Sequence, residues 1–383
     1  MNICINCVKH PLLKTLIKTK NYLCNCDICG EKNINGTNYE SNEFYQLTKA
    51  ILRFNYSEWE YNHHHGGEML ENLFQGDENI FFENSRALSE DIYETLISFI
   101  TEGSCYEDYD KGVSIYAGHH DNGNDLPLLR AIKTHTDKKL IDISKKLATE
   151  NYYHFESQIN NILSAYVHIC SKKYSSGCCF YRARQGYNEE KVSVSFDFAT
   201  RNHYKPHSGD AIGAPPPHLA GSGRINRVGV SYFYCATDIH TAITEIRPHP
   251  GDCVSIGKFQ LNCDVNLFDL ADDKLIHFYL SDKELDNYTQ LLALSKIMNK
   301  VVPPSERQHY SITQLVADCI RKMGFDGILF KSTVGHGDNI VIFDSKKLNY
   351  LSDEQSVVKI NSVIYEYSAL PLIDKSSLYF DDL

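Results

Sequence analysis

The sequence lacks any hydrophobic run near the ~18 residues that a helix needs to cross a bilayer. Its N-terminus, Met1-Asn2-Ile3-Cys4, also lacks the basic stretch followed by an apolar stretch that marks a secretion signal. We therefore expect a cytoplasmic protein without a membrane partner. With 383 residues, 42% of them hydrophobic, the chain can build two or three domains with cores of their own.

An excess of positive charge is also missing, because the formal net charge is -11. A protein that binds along nucleic-acid phosphates needs a basic face. The composition therefore argues against a dedicated nucleic-acid binder. It leaves room for a small anionic ligand in a local basic pocket.

Several catalytic motifs are absent. No GxGxxG motif follows a strand-like stretch, which excludes a Rossmann dinucleotide site, and no P-loop is present. Neither Ser332 nor Cys235 has a matching His–Asp pattern, so acyl-transfer hydrolysis is not expected.

Cysteines are abundant, with thirteen in the chain. Without a secretion signal, a metal site is a better interpretation than a disulfide framework. Cys4-x2-Cys7 and Cys26-x2-Cys29 form two CxxC pairs, and four thiolates complete a tetrahedral structural zinc site. Cys24 leaves the assignment open, since it could replace Cys26. The alternative is a set of free thiols in a flexible tail.

The pattern divides the chain into a cysteine-bearing segment (1–36), a mainly helical segment (37–175) and a C-terminal domain (176–383). Apolar residues recur at helical spacing in several stretches of the middle segment. The predicted helices there are 43–54, one after Ser89, 128–148 and 155–170. The acidic, Gly- and Asn-rich stretch 103–127 is predicted to be a loop.

From residue 178 onward, short apolar runs alternate with Gly and Pro clusters, which predicts an α+β fold. The predicted strands are 178–182, 192–196, 230–236, 253–260, 327–331 and 339–343. The predicted helices are 238–246, 282–298 and 310–323.

A Gly-rich turn carrying arginines (223–229) leads into an aromatic strand (232–237) and then a short helix with Glu245. This order is typical of one wall of a pocket for an anionic, aromatic ligand such as a dinucleotide.

Motifs in this half resemble the RES family, which is named for an arginine, a glutamate and a serine in this order. The matching positions are Arg182, Glu245 and Ser332. The motifs that carry the resemblance, which covers roughly 178–345, are 181–184, 213–217, 223–226, 232–234, 245–248 and 324–332.

The resemblance implies a fold similar to that of ADP-ribosyltransferase toxins and implies NAD+ as the substrate. It implies cleavage of the nicotinamide–ribose bond by a glycohydrolase or a phosphorylase. Many family members are toxins of bacterial toxin–antitoxin pairs, so an antitoxin or inhibitor and a role in anti-phage defence are expected. The cysteine head and helical middle resemble N-terminal domains of the HEPN/RES type, which are expected to control access, sense a trigger or form a homo-oligomer.

Cleavage of the nicotinamide–ribose bond requires an anionic group near the ribose and cationic groups near the pyrophosphate. A carboxylate such as Glu245 stabilises the cationic ribosyl transition state. An arginine fork binds the pyrophosphate, and Arg182 is the first choice, with Arg224 second. Arg184 shares the strand face of Arg182 and could be the ligand instead. Ser332 would bond a phosphate oxygen, a ribose hydroxyl or an incoming inorganic phosphate.

Tyr232 and Tyr234 lie two residues apart on a predicted strand and therefore share one face. They would stack on nicotinamide or adenine, or they are core aromatics. Arg224 and Asn226 would contact the dinucleotide, or they shape the loop. Arg227 adds a positive charge that either helps to bind phosphate or is only solvated.

Other functions stay open. One is ADP-ribosyl transfer to a protein, and another is a module that binds NAD+ or ADP-ribose without cleaving it. Arg130-x4-His135 resembles the HEPN ribonuclease motif, in a region predicted to be helical. The His63–His65 run is either part of a metal site or a loop beside the active site, although three adjacent residues cannot all face one ion.

Overall fold

A computed structural model describes residues 1–61, 66–74, 76–83, 94, 129–194, 200–300, 302 and 310–370. The histidine run at 63–65, the helix predicted after Ser89 and the loop predicted at 103–127 lie outside the described residues, apart from Glu94.

The N-terminal segment forms a three-stranded antiparallel sheet in the order β1-β3-β2, with helix α1 packed on it. Its elements are β1 (Asn2–Cys4), α1 (Pro11–Lys20), β2 (Tyr22–Cys24) and β3 (Ile34–Asn38). Helix α1 buries Leu13, Leu16 and Ile17, one apolar stripe at helical spacing. This small sheet fixes the chain on both sides of the cysteine pairs.

The middle segment is helical in part. The predicted helix 43–54 is confirmed as α2 (Asn42–Asn55), which the Ser41 side chain caps by accepting a hydrogen bond from the Phe44 amide. The predicted helix 128–148 is wrong in its first half, since the described residues 129–137 form only a 3-10 turn (Ile132–Thr134). Helix α3 (Lys138–Lys146) begins after Asp137, whose Oδ1 accepts from the Leu140 amide at 2.9 Å.

The predicted helix 155–170 is shorter in the structure, as α4 (Glu156–Ser164). Strand β4 (Ser171–Tyr174) follows it and pairs with a strand of the C-terminal sheet, although it falls in the segment predicted to be helical. The three-segment division of the chain therefore stays a prediction.

The C-terminal half is built on an eight-stranded sheet in the order β13-β9-β5-β8-β12-β11-β10-β4. Neighbours are antiparallel except β10 and β11. The further strands are β5 (Cys179–Gln185), β6 (Glu189–Val194), β7 (Thr200–Lys205), β8 (Phe233–Ala236), β9 (Cys253–Leu261), β10 (Val265–Asp269), β11 (Gly327–Lys331), β12 (Asp338–Ile342) and β13 (Leu348–Lys359).

Helices α5 (Ile239–Glu245), α6 (Asp282–Asn299) and α7 (Ser311–Lys322) interrupt these strands. The mixture of helices and a mainly antiparallel sheet confirms the predicted α+β fold. Strands β6 and β7 pair as a separate exposed hairpin. Of the predicted strand 192–196, the structure describes residues 192–194, which form the end of β6.

One face of the large sheet packs against helices of both halves of the chain in a shared apolar core. The opposite face has a smaller core that includes Phe180, Phe233 and Phe259. A buried ion pair between Arg53 of α2 and Asp282 of α6 adds a polar contact between the two halves. Among the described residues, none of the helices combines the length and the apolar character needed to cross a membrane.

Candidate active site

Glu245 and Ser332, which are 87 residues apart in the chain, meet in space. Glu245 is the last residue of α5, and its Oε1 accepts a hydrogen bond from Ser332 Oγ at 2.7 Å. The same oxygen accepts from Asn339 Nδ2 at 2.7 Å. Two donors therefore fix the orientation of one carboxylate. Asn339 was not among the predicted site residues.

The loop that carries Ser332 is fastened to α5. Ser332 Oγ accepts from the Gly335 amide at 2.8 Å, and Thr241 Oγ1 accepts from the Gly337 amide at 2.9 Å. A Cβ added at Gly335 would lie 2.6 Å from Thr241 Oγ1, and one added at Gly337 would collide with the Asp238 side chain. Both glycines are needed because the loop approaches the helix so closely.

Arg182 lies on β5 at the same cavity. Its Nη1 donates to the Tyr234 carbonyl at 2.6 Å, and its guanidinium lies over the Phe233 ring at 5.2 Å. Burial lowers the pKa of Arg182. Arg184 differs: it donates to the Ala211 carbonyl and is not among the residues that line the cavity in the described part of the chain. The arrangement favours Arg182 over Arg184 as the ligand.

Tyr234 organises the glycine-rich loop. Its hydroxyl donates to Asn226 Oδ1 at 2.6 Å and accepts from the Ile225 amide at 3.2 Å. Burial raises the pKa of the Tyr234 phenol, so it stays protonated as the donor. The Asn226 amide donates in turn to the carbonyls of Gly221 and Val230. These contacts favour the loop-shaping alternative for Asn226, although both side chains also line the cavity.

Tyr232 is almost fully buried, and its ring packs against Phe343 with 4.8 Å between centroids. Burial raises its pKa. Part of the residue lines the cavity, yet its packing resembles that of a core aromatic. Stacking of Tyr232 or Tyr234 on a base stays a prediction.

Arg224 and Arg227 lie on the same loop, but their side chains contact different parts of the molecule. Arg224 lines the cavity, donates to the Met298 carbonyl at 2.7 Å and lies over the Phe330 ring at 5.8 Å. Arg227 instead pairs with Asp318 at 2.7 Å and lies over the Tyr152 ring at 3.5 Å. The Arg227 guanidinium therefore contacts Asp318 and Tyr152 and does not line the cavity.

The cavity has a volume of about 640 Å³, within the range of small-molecule sites. Its lining includes Arg182, Arg224, Glu245, Asn339 and Arg247, whereas Ser332 reaches it through Glu245. The sequence places Arg247 in the 245–248 motif, but the motif alone predicts no role for it. For Asn339, the signal was a polar residue at the start of the apolar strand 339–343.

The four cysteines predicted as metal ligands converge. Their sulphur atoms all lie within 4.8 Å of one another, with 3.6 Å between Cys4 and Cys7, 3.6 Å between Cys4 and Cys29, and 3.8 Å between Cys7 and Cys26. Tetrahedral zinc with Zn–S bonds of ~2.3 Å separates its sulphurs by about 3.8 Å. The Cys4 amide also donates to Cys26 Sγ at 3.4 Å, which favours a thiolate. The group can therefore hold a metal ion.

Cys24 is outside this group. It ends β2, opposite Ile34 of β3, and its Sγ is directed at Gly36 rather than at the other sulphurs. The converging group thus contains Cys26 and not Cys24, which favours Cys26 as the fourth ligand, while the metal itself stays a prediction.

The ribonuclease-like motif lacks its expected setting. Arg130 and His135 are exposed and flank a 3-10 turn (Ile132–Thr134), not an α-helix. The His135 carbonyl accepts from Lys296 Nζ at 2.9 Å. The described geometry therefore does not support the helical arrangement on which that interpretation depends.

Comparison with known proteins gives one family match, in which residues 198–359 match the family model described as the RES domain. No curated protein matches the chain. Among solved structures, the chain is similar to a chain in the crystal structure of the M. tuberculosis MbcT–MbcA toxin–antitoxin complex. Identity is 10%, the match covers 53% of this chain and 92% of that chain, and the TM-score is 0.29, too low to support a shared fold.

Proposed function

Residues 198–359 match the family model described as the RES domain, and from this premise we propose that the protein is an enzyme that cleaves the nicotinamide–ribose bond of NAD+. The observation that carries the proposal is the Glu245 carboxylate, fixed by Ser332 and Asn339 in a cavity that also contains Arg182 and Arg224.

Each group has a role in this reaction. The bond between C1″ of the ribose and the nicotinamide nitrogen breaks, and its electron pair leaves with nicotinamide. Positive charge grows on the ribose, and the Glu245 carboxylate stabilises it. Ser332 and Asn339 act as positioning residues, because they hold Glu245 Oε1 rather than the substrate.

The arginines bind the anionic part of the dinucleotide. Arg182 and Arg224 each use one Nη1 donor on a main-chain carbonyl. A guanidinium has five N–H donors, so the remaining donors of each are available for pyrophosphate oxygens. Arg182 is half-buried and already oriented by its contact with the Tyr234 carbonyl, so it would lose little conformational entropy on binding.

The molecule that attacks C1″, the acceptor, distinguishes a glycohydrolase from a phosphorylase and from an ADP-ribosyltransferase. Water attacking C1″ gives ADP-ribose, and inorganic phosphate gives ADP-ribose-1″-phosphate. We expect nicotinamide release when purified protein is incubated with NAD+, and mass spectrometry of parallel reactions with and without phosphate identifies the second product. A mass increase on a protein substrate would instead identify an ADP-ribosyltransferase. Intact NAD+ that nevertheless binds would identify a non-catalytic binding module.

We also propose that Cys4, Cys7, Cys26 and Cys29 hold one structural zinc ion, which the matching sulphur spacing supports. The metal would stabilise a segment whose own core is small. A protein that depletes NAD+ harms its own cell when unregulated, so an antitoxin or inhibitor is a proposed partner. The N-terminal and helical segments are proposed sites of such control.

A further inference from the structure

We infer that Arg247 is a further phosphate-binding residue of this cavity, which receives the dinucleotide's phosphate oxygens on the Glu245 side. The inference rests on the proposed function. Arg247 follows α5 by two residues, lines the cavity and is exposed to it. Arg247 is therefore two residues along the chain from Glu245, and both residues line the cavity in which the reaction is proposed to occur.

The Arg247 guanidinium differs from those of the neighbouring arginines by being unengaged. Arg182 and Arg224 each donate to a main-chain carbonyl, and Arg227 pairs with Asp318. In the part of the chain that the structure describes, the guanidinium of Arg247 has no hydrogen bond, ion pair or ring contact. All of its donors are thus free for a ligand.

The backbone gives an independent reason. Arg247 has φ 49°, in the left-handed region, where few residues other than glycine are found. The next residue is Pro248, which further restricts the conformation of the residue before it. The Arg247 amide donates to the Thr244 carbonyl at 3.1 Å, which closes the end of α5. Strained residues of this kind cluster at functional sites.

The chemistry of the site fits a phosphate. A pyrophosphate carries negative charge on several oxygens, and guanidinium binds such oxygens through paired N–H donors. The protein has a net charge of -11, so local cations must offset the repulsion of an anionic ligand. Arg247, with all five donors free, supplies more hydrogen bonds than Arg182 or Arg224, each of which has one donor engaged.

The test measures binding without turnover. In a Glu245→Gln background, calorimetry would compare NAD+ affinity of the parent with Arg247→Gln, Arg247→Lys and, as a control, Arg201→Gln on the exposed hairpin. We expect Arg247→Gln to weaken NAD+ binding roughly 10- to 100-fold, as loss of hydrogen bonds to a charged group does. Arg247→Lys should recover part of the affinity, and Arg201→Gln should have no effect.

A second ligand separates phosphate recognition from a general loss of the pocket. Nicotinamide riboside has no phosphate, so its affinity should be the same for Arg247→Gln and for the parent. An equal loss for both ligands, or no loss for NAD+, would overturn the inference.

Arg247→Gly serves as a variant that relieves the backbone strain. It should fold at least as stably as the parent and still lose NAD+ affinity, and retained affinity in this variant would contradict the inference. Failure of Glu245→Gln itself to bind NAD+ would contradict the proposed function, and the inference with it. If Glu245→Gln binds NAD+ and the added Arg247→Gln change does not weaken that binding, the inference is overturned while the proposed function stands.

Discussion

At the scale of single residues, the site depends on what holds Glu245. The sequence pointed to Glu245 and Ser332 through motif order, and the structure joins them by one hydrogen bond. It marked Asn339 only as a polar residue at the start of an apolar strand, because the contact with Glu245 needs β12 to lie beside the end of α5. Nor could the sequence show that the Tyr234 hydroxyl donates a hydrogen bond to the Asn226 side chain. Such pairings arise from tertiary packing, which local patterns do not encode.

Removal of the second donor to Glu245 should lower turnover. For Asn339→Ala we expect kcat to fall roughly 10- to 100-fold with KM little changed, since the amide orients the carboxylate rather than the substrate. Ser332→Ala should behave similarly. Because both donors share Oε1, the double variant should lose less than the product of the two effects. A large rise in KM with unchanged kcat would show that Asn339 contacts the substrate instead.

At the scale of elements, the sequence predicted strands that are apolar and buried, such as β9 and β11. It missed β4, β7 and β13, in which polar and exposed residues predominate, so no apolar alternation marks them. It also missed β10, whose run Val265–Asp269 is short. The site itself depends on a junction between two elements, α5 and the loop before β12, which no single-element pattern describes.

The hydroxyl of Thr241 holds that junction, because it accepts from the Gly337 amide and donates to Asp238. We expect Thr241→Val, which keeps the shape of the side chain, to destabilise the protein by about 1–3 kcal/mol in urea unfolding. It should also lower kcat, because the Ser332 loop loosens. Thr241→Ser keeps the hydroxyl and is the matched control. Equal stability and activity of the Val and Ser variants would contradict this role.

At the scale of the whole molecule, one core is shared between the N-terminal elements and the helices that cover the large sheet. Composition and cysteine spacing predicted three segments in chain order, but not this shared packing, because it joins residues distant in sequence. Arg227 illustrates the point, since its partners Asp318 and Tyr152 come from separate parts of the chain. The N-terminal segment therefore packs in one core with the part of the chain that carries the site.

Metal analysis tests the N-terminal site with a matched pair of variants. We expect about one zinc per chain in the parent and in Cys24→Ser, and little or none in Cys7→Ser, because Cys7, unlike Cys24, belongs to the four converging sulphurs. The measurement is elemental analysis of purified protein. Cys7→Ser should also melt at a lower temperature. Zinc loss in Cys24→Ser with full retention in Cys7→Ser would contradict the assignment.

Glu245 is proposed to promote cleavage of NAD+ in the cavity that Arg182 lines, and the most direct test is to measure nicotinamide release from NAD+ by the parent and by Glu245→Gln. The amide keeps the size of the side chain and can still bond Ser332, but it has no charge to stabilise the ribosyl cation. We expect rapid release by the parent, and release by Glu245→Gln slowed at least 100-fold with NAD+ still bound. Equal release by the two proteins, or none by the parent, would contradict the claim.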